Sequence, residues 1–207
     1  MAAVALLLYL LYVLLAFGVR TALHHRRTGS TGFRGLSGRP GSAPWWGGVL
    51  FAAALAAGLL GPLSQVAGVL HPLAALDHRA LDVVGVVITV AGIAATLAAQ
   101  HAMGTAWRVG VDPDEPTALV TDGVFAHVRN PVFTAMIATG AGLALTAADP
   151  VSLSALPALV VAVHLQVRAV EEPHLLARHG GTYRDYTART GRFLPRWAGL
   201  GAPSSET

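Results

Sequence analysis

"PVFTAMIATGAGLALTAADPVSLSALPALVVAVHLQV", residues 131–167, decides the architecture. It contains two apolar runs, residues 131–148 and 151–167, interrupted only by Asp149 and Pro150. Two such runs with almost no loop between them predict a tight antiparallel helical hairpin. Each is a little shorter than the roughly 20 apolar residues needed to span the hydrocarbon core, so the hairpin is short for a full crossing.

Upstream, three more stretches have membrane-spanning character: residues 2–19, 45–63 beginning at the interfacial pair Trp45-Trp46, and 81–99. The first is apolar from its first residues and its arginines follow it. A secretory signal has the opposite order, so the segment reads as a retained helix. The whole 207-residue chain is 54% hydrophobic and only 12% charged, about half the charge of an ordinary soluble domain. Its mean hydropathy is +0.56. No strand pattern is evident. The expected fold is therefore an all-α integral membrane protein with about five transmembrane helices, the last two a tight hairpin, followed by a cytoplasmic C-terminal helical cap.

Arginine placement sets the expected orientation. There is no lysine, a bias that a GC-rich genome explains without invoking function. The segment after the first helix carries Arg20, Arg26, Arg27, Arg34 and Arg39. The segment before the hairpin carries Arg108 and Arg129, and the region after it Arg168, Arg178, Arg184, Arg189, Arg192 and Arg196. Only Arg79 falls on the other side. The positive-inside rule then places these three segments in the cytoplasm and the N-terminus outside. The Gly/Ser/Pro-rich loop 28–44 is expected to be flexible, its arginines lying against anionic headgroups at about 1 kcal/mol each. Nucleic-acid binding has no support, because the basic residues are explained by topology and no recognition module accompanies them.

Several chemistries are excluded or unsupported. With no cysteine there is neither a disulfide nor a thiolate metal site, and no HExxH motif or His cluster indicates a metal. No glycine-rich dinucleotide loop follows a strand. What remains are two polar segments at one membrane edge. In "TDGVFAHVRNPVF", residues 121–133, a Thr-Asp-Gly turn precedes Arg129, Asn130 and Pro131. Pro131 suits the first turn of a helix, whose free amides, with the Asn130 amide, form a cradle for carboxylate or hydroxyl groups. Equally, Asn130 could serve only as a cap and Arg129 could reach to the interface. On the last helix His164, Arg168, Glu171 and Glu172 stand at i, i+4, i+7 and i+8, one face of a regular helix. They make either a polar wall of a site or a helix end meeting water. Pro173 is expected to kink the helix there. Beyond it come a "HGG" stop at 179–181, a short helix with Tyr183 and Tyr186, whose spacing suits packing, and "GRFLPRW". A site with ligand-shaped polar groups and little acid–base apparatus suits group transfer from an activated donor, in which alignment supplies much of the acceleration.

In this order, "ALVTDGVFAHVRNPVF", "EEPHLLARHGGTYRDY" and "GRFLPRW", with the lead-in "MGTAWRVGVDPDEPTALV", resemble the isoprenylcysteine carboxyl methyltransferase family and its bacterial relatives, with the phospholipid methyltransferases close by. The resemblance covers residues 100–197. It implies S-adenosyl-L-methionine as methyl donor, bound in a cytoplasm-facing pocket under the C-terminal segment. Its contacts would come from Thr117, Ala118, Leu119 and Val120, from Phe125, from Arg129, Asn130, Pro131, Val132 and Phe133, and from Glu171, with Glu172, Tyr183 and Tyr186 beside them. Arg168 and His164 would face the acceptor as catalytic residues. Asn130 replaces the histidine of many members, and Phe125 and Phe133 replace tyrosines. The implied function is methyl transfer to a hydrophobic, membrane-embedded acceptor, a carboxylate or an amine, borne by a lipophilic small molecule or a prenylated compound. The implied location is a bacterial inner membrane. Residues 1–99 would form the N-terminal helices, 100–197 the methyltransferase core, and 198–207 a disordered tail. Two alternatives stand beside this: an NADPH-dependent membrane sterol-type reductase and a non-catalytic membrane scaffold.

Overall fold

The computed structural model describes residues 1–29, 31, 38–104 and 119–196. Helix α1 (Ala2–Val13) passes through a widened π turn (Leu14–Val19) into α2 (Arg20–Thr28). There follow α3 (Ala43–Val66), α4 (Arg79–Ala102), a 3-10 turn (Gly123–Ala126), α5 (Pro131–Ala147) and α6 (Pro150–Gln166). A second π turn (Val167–Glu171) leads into α7 (Glu172–Arg189). Four helical stretches are long and apolar enough to cross a membrane, and α5 is a shorter apolar helix. The described residues contain no strand, only an isolated bridge between Val128 and Gly191. The all-α membrane architecture expected from the sequence is thus found, including the α5–α6 hairpin turned at Asp149.

Three expectations need correction. The first helix does not stop at Val19: α1 and α2 continue to Thr28, so Arg20, Arg26 and Arg27 belong to helix rather than loop. A run of charges that ends an apolar pattern does not end a helix. Secondly, Pro173 does not follow a regular α-helix: a π turn lies just before it, and Gly180, with φ 51° and ψ −120°, is the non-helical residue inside α7, in the HGG segment where the sequence places a stop. Thirdly, that π turn shifts the register, so His164, Arg168, Glu171 and Glu172 do not present a single face.

The closest packing is between α4 and α5, antiparallel neighbours meeting through small residues. A Cβ on Gly92 would come 2.8 Å from the Thr139 amide, and one on Gly85 would come 2.8 Å from the Thr146 amide. From the other side, Gly142 receives Thr89. Thr89, Thr96, Thr139 and Thr146 are all buried. Each hydroxyl donates to the carbonyl four residues earlier on its own helix, Gly85, Gly92, Ala135 and Gly142 respectively. In hydrocarbon an unsatisfied hydroxyl is costly. These threonines meet that requirement locally, which leaves the seam to shape complementarity of the small-residue kind.

At the opposite membrane edge, Asp149 is fully buried and caps α6. Its carboxylate accepts from the amides of Val151 and Ser152, from the Ser152 hydroxyl and from Gln65 Nε2 at 2.8 Å, which joins the hairpin tip to α3. Gln65 also donates to the Ala147 carbonyl. Replacing Asp149 with alanine would leave four donors without their acceptor. It is expected to cost about 2 kcal/mol, more than an ordinary exposed cap, as measured by reversible unfolding in micelles.

On the site side, Arg20 donates to the carbonyls of Gln100 and Gly104, and Gln100 Nε2 to the carbonyl of Ala16 inside the first π turn. These bonds hold the first helix against the end of α4, where residues 105–118 begin.

Candidate functional site

The site is organised by the start of α5. Gly123, with φ +56°, opens the 3-10 turn in a conformation that favours glycine, as the Thr-Asp-Gly signature predicts. The turn buries Phe125 and delivers Val128, Arg129 and Asn130 to the helix start. Residues 190–193 then lie across this start as a strap. The Arg129 amide donates to Gly191 O at 2.8 Å and the Asn130 amide to Arg192 O at 3.1 Å. The Asn130 side-chain amide adds a 3.0 Å bond to the same Arg192 carbonyl, and the Thr134 hydroxyl donates to Phe193 O at 2.8 Å. Asn130 therefore does not cap α5 with its side chain, and the helix N-terminus is without a side-chain cap.

The strap is fastened by charge. Glu172 Oε1 receives Arg129 at 3.0 Å and Arg192 Nε at 2.7 Å, while Arg192 Nη2 reaches Oε2 at 2.9 Å. Both carboxylate oxygens are thus committed, and the Arg192 guanidinium is held more firmly protonated than usual by its hydrogen bonds to Glu172. Arg129 also caps the end of α7, donating to the carbonyls of Thr187 and Thr190. Its Nε is buried and has no hydrogen-bond partner among the described residues.

Tyr183 and Tyr186 are buried with ring centroids 6.3 Å apart, and Tyr186 donates to Phe125 O at 2.6 Å. They bind α7 to the 3-10 turn, the packing role their spacing suggested. Val132 and Phe133 lie in the first turn of α5, and Phe133 packs against the core together with Phe193. Glu171 is half-buried at the end of the π turn. His164 is half-buried with its ring 4.7 Å from that of Phe193, and its Nδ1 bonds Val160 O. Arg168 is exposed. Leu119 and Val120 are half-buried at the start of the described segment, whereas Thr117 and Ala118 lie outside the described residues, as do Arg34, Arg108 and the tail 198–207.

The structure thus gathers Phe125, Arg129, Asn130, Pro131, Glu172, Tyr183 and Tyr186 around one helix start. Arg192, Thr134 and Phe193, which the sequence reading did not single out, belong to the same assembly. Arg192 and Phe193 lie in "GRFLPRW", but nothing in that segment announced which helix it would cross.

The phospholipid methyltransferase family profile matches residues 81–181. The match includes α4, upstream of the span suggested by the motifs, and ends before the strap. No match was found among curated proteins. The matched span carries the α4–α5 seam, the Arg129-Asn130-Pro131 helix start and the acidic pair Glu171-Glu172, and over it the chain is similar to the phospholipid methyltransferase family.

Proposed function

We propose that the protein transfers a methyl group from S-adenosyl-L-methionine to a lipophilic acceptor at the membrane surface, with the strap side of the molecule facing the cytoplasm. The observation that carries this reading is the coincidence of the family match with a helix N-terminus that, among the described residues, has no side-chain cap and lies beside a buried guanidinium Nε without a hydrogen-bond partner. A helix start without a side-chain cap and an Arg129 Nε without a partner among the described residues suit the donor molecule's carboxylate and hydroxyls. Half-buried Glu171 suits its ammonium or ribose. Phe125 and Phe133 offer apolar surface to the rest. Glu172, occupied by two arginines, shapes the site by holding the strap. Thr117 to Val120 remain candidate contacts at the edge of the site, and Arg168 and His164 candidate acceptor contacts.

Bound there, S-adenosyl-L-methionine supplies an activated methyl group. The protein's own part is to align the acceptor, exclude water and hold the polar groups in place. Isothermal titration in detergent tests the reading. The wild type is expected to bind S-adenosyl-L-methionine and not NADPH. Glu171→Gln is expected to weaken binding about tenfold, the loss of one charge-assisted hydrogen bond. Binding of NADPH alone would replace this reading with the reductase, and binding of neither would favour a scaffold.

A further inference from the structure

The strap sequence "TGRFLPR", residues 190–196, mixes apolar and basic side chains and holds no acid. Phe193 turns inward, its ring 4.7 Å from that of His164 and packed against the core. Its carbonyl accepts from the Thr134 hydroxyl at 2.8 Å. Thr134 follows Pro131, Val132 and Phe133, so the first turn of α5 is apolar and belongs to the hydrocarbon edge rather than to water. The next strap residue, Leu194, is 73% exposed. A lone exposed leucine is ordinary on a soluble surface. Leu194 is placed differently, one peptide away from a hydrogen bond to an apolar helix. A second exposed apolar side chain, Val124, flanks the same threonine: Val124 and Thr134 border one shallow apolar hollow on the outside of α4 and α5.

Cations stand behind this leucine. Arg196 is exposed and donates through Nη1 to the Ala188 carbonyl. Arg189 is exposed and donates through Nε to the Asp185 carbonyl. The first of these bonds brings both guanidiniums to one end of α7. Among the described residues, the ion pairs of this region are those of Glu172 with Arg129 and Arg192, so Arg189 and Arg196 keep their charge uncompensated. An apolar side chain ahead and guanidiniums behind match the two layers of a leaflet edge, acyl chains and then phosphates.

We propose that the strap docks on the membrane surface, with Leu194 entering the acyl boundary of an anionic leaflet and Arg189 and Arg196 facing its phosphates. This goes beyond the methyl-transfer reading and does not depend on it. Taking the leucine out of water favours the docked strap by roughly tenfold or more. Each arginine adds a preference of about fivefold for anionic over neutral headgroups. The strap also bonds the backbone of Arg129 and Asn130, so the charge of the leaflet sets how firmly the start of α5 is covered.

The chain has no cysteine, so Leu194→Cys, Asp185→Cys and Val161→Cys each carry a single nitroxide label on the full-length protein. Leu194 is exposed, and its replacement removes no buried packing. Asp185, exposed on α7, serves as the water reference, and Val161, 47% exposed on α6, as the lipid reference. The labelled proteins are placed in nanodiscs of phosphatidylcholine, alone or with about one-third phosphatidylglycerol. In the anionic discs, oxygen is expected to relax the label at 194 more than a water-soluble nickel chelate does, as at 161, with the opposite order at 185. The docked-to-undocked ratio at 194 is expected to rise more than tenfold from neutral to anionic discs, and Arg189→Gln with Arg196→Gln is expected to abolish that rise. A label at 161 that stays in lipid shows that each variant keeps its fold. Nickel access at 194 equal to that at 185 overturns the proposal. So does a label at 194 shielded from both reagents, which puts Leu194 under protein, or a docked ratio indifferent to phosphatidylglycerol or to the paired arginine substitutions.

Discussion

Arg129→Ala is expected to lower stability by about 3 kcal/mol and to detach the strap from α5. The side chain makes one ion pair with Glu172 and two bonds to the final carbonyls of α7. Removing one partner of a buried pair typically costs about 3–5 kcal/mol, much of it from the charge left behind. The side chains of Arg129 and Glu172 are 11% and 21% exposed, and Arg192 still pairs with Glu172, so the lower end of that range applies. Arg129→Lys restores charge but not the fork that reaches Glu172 and two carbonyls together, and should recover less than half of the loss. Reversible unfolding in mixed micelles measures both variants. Faster proteolysis after residue 189 in Arg129→Ala would report the freed strap, whereas unchanged protection there would separate Arg129 from strap closure.

Gly142→Leu is expected to be at least as damaging, about 3 kcal/mol or more, with loss of monodisperse protein. Even the first added carbon would lie 2.5 Å from the Thr89 amide nitrogen and 2.7 Å from Gly85 O. Both are backbone atoms, so α4 and α5 must separate to admit it, and overpacking of this kind ordinarily costs about 1–3 kcal/mol even when side chains can yield. The combination with Thr89→Ala discriminates the cause. Trimming that side chain leaves the backbone contacts in place, so it should not rescue Gly142→Leu. Rescue would mean that the helices meet through side chains alone.

Much of this fold was legible because hydrocarbon leaves few choices. Long apolar runs must be helical, Asp149-Pro150 leaves room only for a tight turn, and Thr-Asp-Gly and Asn-Pro mark a turn and a helix start. Less legible were the features that depend on distant partners. The position of Arg129 was visible, but its bonds to Glu172, Thr187 and Thr190 span more than forty residues. The polar face read from His164, Arg168, Glu171 and Glu172 assumed a regular period. The π turn at Val167–Glu171 broke it, and Arg168 is exposed while Glu172 meets Arg129 and Arg192.

The α5 helix has only 17 residues, about 26 Å end to end, against a hydrocarbon layer of about 30 Å, while α3 and α4 each run to 24 residues. Lipids on the α5 flank must therefore compress or tilt to match the protein. Such pinching brings headgroups down towards Pro131 on that side, so a lipid would reach the site proposed at the α5 start with less of its chain pulled out of the leaflet. Under that proposal the brevity of one helix would lower the work of extracting an acceptor before any contact with it is made.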